Sequence, residues 1–209
     1  MKLYDCEGAP SPRRVRMFAA EKGIVLERVP VDLASGEQMS AEFRRRNPEC
    51  TVPVLELDDG SCISEVAAIC DYLEQLQPEP PLLGAGAAAR AAVLMWNAKI
   101  EQLGLASVAD LFRNSVPGLR SRAVTGPADF EQIPALAERG RQRAILFFQR
   151  LDSYMDGRRF VAGERLSIAD ISALVCIDFA RRAKLELLDS APNLERWYAE
   201  ISARPSAQA

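Results

Sequence analysis

The sequence predicts an α/β unit followed by an all-α unit. A β-α-β pattern opens the chain, a β-hairpin and an amphipathic helix follow it, and only helical periodicity is found in the second half. Prolines and glycines are concentrated in residues 78–86, which is typical of an interdomain linker. The predicted domains are therefore 1–77 and 87–209, with 78–86 as the linker.

The first unit has clear signals for the starts and ends of its helices and strands. Residues 2–5 and 26–32 are predicted strands on either side of a helix at 12–23, in which Ser11 is the expected N-cap, Pro12 the first helical residue and Gly23 the stop. A short helix is expected at 40–46. The segments VLEL (54–57) and SCIS (61–64) flank Asp59-Gly60, which predicts an antiparallel hairpin. A third helix follows from Glu65 to about Gln77, with Ser64 as the expected cap.

The second unit is predicted from four helical patterns. They occupy residues 87–114, residues 134–156, a segment that opens at Ser167, and a segment that follows Pro192. Asp170 stands three residues after Ser167, where a capping box places an acid.

Composition excludes several classes of function. The chain has 209 residues, 48% of them hydrophobic and 26% charged, which is enough to build a core. No apolar run approaches the roughly 18 residues that cross a membrane, so no membrane association is expected. The net charge is −3 and the basic residues are dispersed, which predicts no nucleic-acid partner. The first 20 residues contain no apolar block of the signal-peptide type, and we expect a cytoplasmic protein.

The chain contains no histidine. This absence excludes Ser-His-Asp and Cys-His catalysis and most transition-metal centres. The five cysteines show no C-x-x-C spacing, which argues against a disulfide framework and against a zinc site. We therefore expect reduced thiols and no metal.

Four motifs in order resemble the glutathione S-transferase family. They are SPRRVRMFAAEKGI (11–24), NPECTVPVLELDDG (47–60), ISEVAAICDYLE (63–74), and FVAG (160–163) with LSIADI (166–171). The resemblance implies a thioredoxin-like N-terminal domain, an all-α C-terminal domain and glutathione as co-substrate. It also implies a homodimer formed through the third helix and the long helix.

Ser11 is the candidate catalytic residue. A transferase must favour the thiolate of glutathione, because a free thiol has a pKa of about 8.5. A hydrogen bond to a charged group contributes about 1.5 to 3 kcal/mol, and 1.36 kcal/mol corresponds to one pKa unit, so one hydroxyl can lower a thiol pKa by about one to two units. In similar serine-type members the catalytic hydroxyl stands at the position of Ala9, and Ser11 matches a second polar site of that motif.

The resemblance also implies the contacts that hold glutathione. Val52-Pro53 matches the cis-proline pair of the family, whose backbone binds the cysteinyl part, and Thr51 precedes it. Glu65 and the amide of Val66 would hold the γ-glutamyl end at a helix N-terminus. The family more often has serine at the position of Val66, so this chain lacks one hydroxyl contact.

The second substrate is expected to be a small hydrophobic electrophile that binds between the halves. Leu105, Val108 and Phe112 share one face of the long helix and are the candidate pocket residues, although the same pattern also fits helix packing. Arg113 beside them fits a surface charge equally well.

Two alternatives remain open from the sequence. Cys6, at the end of the first strand, could support glutathione-dependent disulfide or peroxide reduction. The absence of hydroxyls at Ala9 and Val66 also fits a non-catalytic binding module that keeps the fold.

Overall fold

The computed structural model describes residues 1–188 and 190–209, which divide into two compact units. The first unit contains Met1–Pro80, Thr125–Ala128 and Gln208–Ala209. The second unit contains Pro81–Val124 and Asp129–Ala207. The fold class predicted from the sequence is confirmed, since the first unit is α/β and the second is helical.

The first unit is built on a four-stranded sheet. Its strands are β1 (Lys2–Asp5), β2 (Glu27–Pro30), β3 (Val54–Glu56) and β4 (Cys62–Ser64), in the order β2-β1-β3-β4. β1 and β2 are parallel, and the other two pairings are antiparallel, as a β-α-β unit followed by a hairpin requires.

Three helices accompany this sheet: α1 (Pro10–Glu21), α2 (Ala41–Arg46) and α3 (Val66–Leu76). Gly23 follows the end of α1 with a φ of 66°, which confirms it as the stop. The predicted start of α1 was wrong, because the helix begins at Pro10 and its N-cap is Ala9. Two prolines in this segment both suit a first turn, and the upstream one begins the helix.

The caps of the other two helices fix where these helices begin. Ser40 caps α2, since its hydroxyl oxygen accepts the Phe43 N–H at 3.1 Å. The N-cap of α3 is Glu65 rather than the predicted Ser64, which is the last residue of β4. β4 therefore continues one residue further than a serine cap would permit.

Strand register brings three connections to one edge of the sheet. Tyr4 pairs with Val54, and Val54 pairs with Ser64. The carboxyl ends of β1 and β4 consequently lie beside the amino end of β3. The β1–α1 loop, the segment before Val54 and the start of α3 all emerge at this edge.

The second unit contains α4 (Ala87–Lys99), α5 (Ala106–Ser115), α6 (Pro134–Tyr154), α7 (Ile168–Arg182) and α8 (Pro192–Ser202). A π-helical segment, Ile100–Leu105, joins α4 to α5, so the long predicted helix is continuous but not α-helical throughout. The α5 and α6 backbones cross closely at Gly140, where a Cβ would lie 2.5 Å from the Ser107 carbonyl oxygen. Among the described residues, no helix is long and apolar enough to cross a membrane.

Candidate active site

The first turn of α1 offers one hydroxyl and one backbone N–H. Pro10 and Pro12 have no N–H, so Ser11 carries the only backbone donor of the first three helical residues. Within residues 1–188 and 190–209, no group accepts this N–H. The Ser11 hydroxyl oxygen accepts a hydrogen bond from Nη2 of Arg14 at 3.4 Å. Both donors of Ser11 are therefore available to an anion at the positive end of the helix.

The β1–α1 loop that leads to Ser11 is tied down by a buried ion pair. Arg16 donates to the Asp5 carboxylate at 2.6 Å and to the Glu7 carbonyl at 3.3 Å. Burial lowers the pKa of the Arg16 guanidinium below its ordinary value, and the charge of Asp5 opposes this shift. Arg28 occupies the other Asp5 oxygen at 2.8 Å. These bonds connect the end of β1, the loop and α1.

Ala9 and Cys6 form a turn within this loop. The Ala9 N–H donates to the Cys6 carbonyl at 2.9 Å, so Ala9 brings only a methyl group and a carbonyl to the site. Cys6 is half-buried, and all five cysteines are free thiols. The alternative role of Cys6 in disulfide or peroxide reduction stays a prediction.

The segment before β3 contains the expected cis peptide bond between Val52 and Pro53, which confirms that prediction. Among the described residues, nothing bonds to the backbone N–H or C=O of Val52. The buried Asn47 donates from Nδ2 to the Thr51 carbonyl at 3.0 Å and to the Thr51 hydroxyl at 2.9 Å. Asn47 therefore holds this loop, a role that the sequence analysis missed although Asn47-Pro48 is a turn signal.

The start of α3 is the third part of the site. Glu65 is exposed and adopts a φ of 69°, which is uncommon for a residue with a side chain. In the part of the chain that the structure describes, the N–H groups of Val66, Ala67 and Ala68 have no acceptor. Three free donors at a helix N-terminus suit a carboxylate. The Val66 side chain is 4% exposed, so it packs inward and contributes only its amide.

The three residues predicted to line a pocket on the second unit differ in their burial. Val108 is 0% exposed and belongs to the helix packing, whereas Leu105 and Phe112 are partly exposed. Phe112 packs against Phe179 with ring centroids 5.2 Å apart. The pocket assignment of this face remains a prediction.

Arg113 is not the simple surface charge that the sequence allowed. Its guanidinium donates to the carbonyls of three successive loop residues, Arg122, Ala123 and Val124. Burial lowers the pKa of Arg113, and the charge of Arg122 lowers it further. Sequence offers no signal for this role, because the acceptors are backbone groups about ten residues away.

The described residues contain no group of three or more carboxylate and thiol side chains arranged to hold a metal ion. The site consists instead of free backbone donors, one hydroxyl and an exposed carboxylate at one sheet edge. This arrangement suits a small peptide anion.

An α/β unit with a cis-proline segment at its sheet edge, followed by an all-helical unit, defines the class of glutathione transferases. The profile described as "Glutathione S-transferase, N-terminal domain" matches residues 9–76, and that of the C-terminal domain matches residues 121–205. "Glutathione S-transferase 2" of Saccharomyces cerevisiae is 34% identical over 211 residues, which cover 100% of this chain and 88% of the relative. The chain belongs to the glutathione S-transferase family and is a glutathione transferase.

Solved structures agree with this assignment. A glutathione S-transferase domain-containing protein from Marinobacter aquaeolei VT8 has a TM-score of 0.91 at 38% identity, covering 99% of each chain. The crystal structure of Gtt2 from Saccharomyces cerevisiae also has a TM-score of 0.91, at 34% identity, and covers 100% of this chain and 99% of its own. The resemblance stated from the motifs is thereby confirmed over the whole chain.

Proposed function

We propose that this transferase binds glutathione at the sheet edge of its first unit and joins the sulfur to a small hydrophobic electrophile. The observation that carries the proposal is the pair of free donors on Ser11, at the same edge as the unpaired backbone of Val52. The two donors of Ser11 suit a thiolate, and the backbone N–H and C=O of Val52 suit the cysteinyl peptide backbone.

Ser11 is the proposed catalytic residue. Its hydroxyl and N–H would both stabilise the thiolate, and the S–H proton would leave to solvent. The thiolate then attacks an electrophilic carbon, forming a C–S bond while the leaving group departs with its electron pair. One hydrogen bond of this kind lowers the thiol pKa by about one to two units.

The remaining contacts hold the tripeptide. We assign the cysteinyl backbone to Val52, next to Thr51 and Pro53, and the γ-glutamyl carboxylate to the free N–H groups at Val66. The exposed Glu65 carboxylate would meet the γ-glutamyl ammonium, and Ala9 would line the sulfur end with its methyl group. The partly exposed Leu105 and Phe112, backed by Val108, are the proposed contacts for the electrophile.

We further propose a cytoplasmic homodimer. Leu94 and Met95 of α4 expose about half of their surface, as does Leu76 at the end of α3. Large apolar side chains in these positions favour a symmetric contact between copies. Sedimentation equilibrium would test this, and Leu94→Glu with Met95→Glu should give a monomer.

The experiment that tests the catalytic proposal is the titration of bound glutathione. Thiolate absorbance should give a pKa below that of free glutathione, and Ser11→Ala should raise this value by about one to two units. Ser35→Ala is the matched control, because Ser35 is an exposed serine of the same unit. Bound glutathione that titrates like free glutathione would refute the proposal.

A further inference from the structure

We propose that Arg14 is a positioning residue for the transfer reaction and acts through Ser11, by directing the Ser11 hydroxyl proton toward the glutathione sulfur. The inference rests on the proposed role of Ser11. It adds a residue that no motif of the sequence assigned to the site.

The two side chains share one face of α1. Residues three apart on a helix are neighbours, and Nη2 of Arg14 lies 3.4 Å from Oγ of Ser11. Arg14 is only 6% exposed, whereas Ser11 is half-buried. The guanidinium therefore approaches the hydroxyl from the protein side, and the open side of Ser11 is left for a ligand.

Hydrogen-bond chemistry gives this contact one direction. A guanidinium has only donors and stays charged, so the Ser11 oxygen must be the acceptor. With Arg14 donating to the oxygen, the hydroxyl proton has to point to another acceptor. Ser11 is not the N-cap of α1, and within the described residues its proton has no protein acceptor. A thiolate on the open side would supply that acceptor.

The chain of bonds also strengthens the donor. A hydroxyl that accepts from a cation is polarised and becomes a better donor to an anion, and the effect grows in a buried setting. Arg14 thus contributes to thiolate stability without touching the sulfur. Its effect should depend on the presence of the Ser11 hydroxyl.

A double-mutant cycle tests this dependence. Ser11→Ala, Arg14→Met and the double variant are compared with the unmodified enzyme by the pKa of bound glutathione thiol and by the pH profile of kcat/KM. Arg14→Met should raise the pKa of the bound glutathione thiol when Ser11 is present and raise it much less when Ser11 is replaced by alanine. The difference between the two effects should be about twofold or more in the acid dissociation constant of the thiol. Arg14→Lys keeps the charge and controls for loss of folding in Arg14→Met. Its thiol pKa should lie between those of the unmodified enzyme and Arg14→Met.

Arg13→Met is the matched control. Arg13 carries the same charge one position earlier and makes no hydrogen bond to Ser11. Its effect on the thiol pKa should be the same with and without the Ser11 hydroxyl. If the Arg14 and Ser11 effects are simply additive, the relay is refuted while the role of Ser11 stands. If Ser11→Ala leaves the thiol pKa unchanged, both proposals fail together.

Discussion

The indole Nε1–H of Trp197 donates to Oδ1 of Asp170 across 3.0 Å. The same oxygen accepts the Val161 N–H at 2.9 Å, and the other oxygen accepts the N–H and the hydroxyl of Ser167 at 3.0 Å each. The carboxylate is completely buried. It therefore joins the start of α7, the segment before it and α8 through one side chain.

Asp170→Asn should destabilise the protein by about 1 to 3 kcal/mol at neutral pH. The amide can still accept at Oδ1, but its NH₂ group faces the Ser167 N–H, which is left without an acceptor. Urea denaturation measures the loss. Asp156→Asn, at an exposed position of the same unit, is the control and should change stability very little. Equal stability of the two variants would contradict the prediction.

The same residue predicts a pH dependence. Burial raises the pKa of Asp170 from 3.8 to about 6, although its four hydrogen bonds oppose the shift. The folded protein thus binds more protons than the unfolded chain between these values, so the Asp170 contribution to stability falls as the pH rises from about 4 to about 6. The stability difference between the unmodified protein and Asp170→Asn should shrink over this window, by up to about 3 kcal/mol. A constant difference would show that the carboxyl group does not titrate there.

Lys22 should be essential to the stability of the first unit. Its ammonium is buried, pairs with Glu74 and donates to the carbonyls of Gln77, Pro78 and Pro80. Lys22→Met removes the positive charge from all of these groups and should cost about 3 to 5 kcal/mol in urea denaturation. Adding Glu74→Leu removes the buried carboxylate that pairs with Lys22 and should restore part of the loss. A double variant less stable than Lys22→Met would contradict this account.

Arg113→Leu should loosen the loop that follows α5. The Arg113 guanidinium is the common donor to its carbonyls, and the loop is closed by bonds from Ala123 N–H to Phe130 O and from Phe130 N–H to Ser121 O. Hydrogen exchange at Ala123 and Phe130 should accelerate about tenfold, which corresponds to the loss of one charged hydrogen bond. The Arg120 side chain makes no hydrogen bond or ion pair with the described residues, so Arg120→Leu should leave exchange unchanged.

Val66→Thr should destabilise the protein and leave glutathione binding almost unchanged. The Val66 residue is 4% exposed and packs inward, so a threonine hydroxyl there is buried away from the ligand side of the free N–H groups of α3. A buried hydroxyl without a partner should cost about 1 to 3 kcal/mol in urea denaturation, whereas the backbone N–H proposed to bind the carboxylate is kept. Ala67→Ser, at an exposed position of the same turn, is the control and should change stability very little. Calorimetry showing tighter glutathione binding by Val66→Thr would mean that this side chain faces the ligand.

Local signals in the sequence predicted local structure well. Gly23 ended α1, the short helix expected at 40–46 formed as α2, and the Ser167 to Asp170 spacing formed the capping box of α7, because each depends on backbone geometry within a few residues. The predicted start of α1 was wrong because this prediction also used only local signals. Pro10 and Pro12 satisfy the same local rule, and Ser11 became the second helical residue instead of the cap.

The candidate site itself is a product of long-range pairing. Sequence identified Ser11, Val52 and Glu65 one by one, and the register of β1, β3 and β4 brought their segments to one edge of the sheet. The inward position of Val66, the hydrogen bonds of Asn47 and the contact of Arg14 with Ser11 are visible only in the folded structure. By itself the chain therefore determined its elements, their order and its family, since these depend on neighbouring residues. Only the tertiary structure decided which polar groups remain unpaired, because pairing depends on what each group meets across the fold.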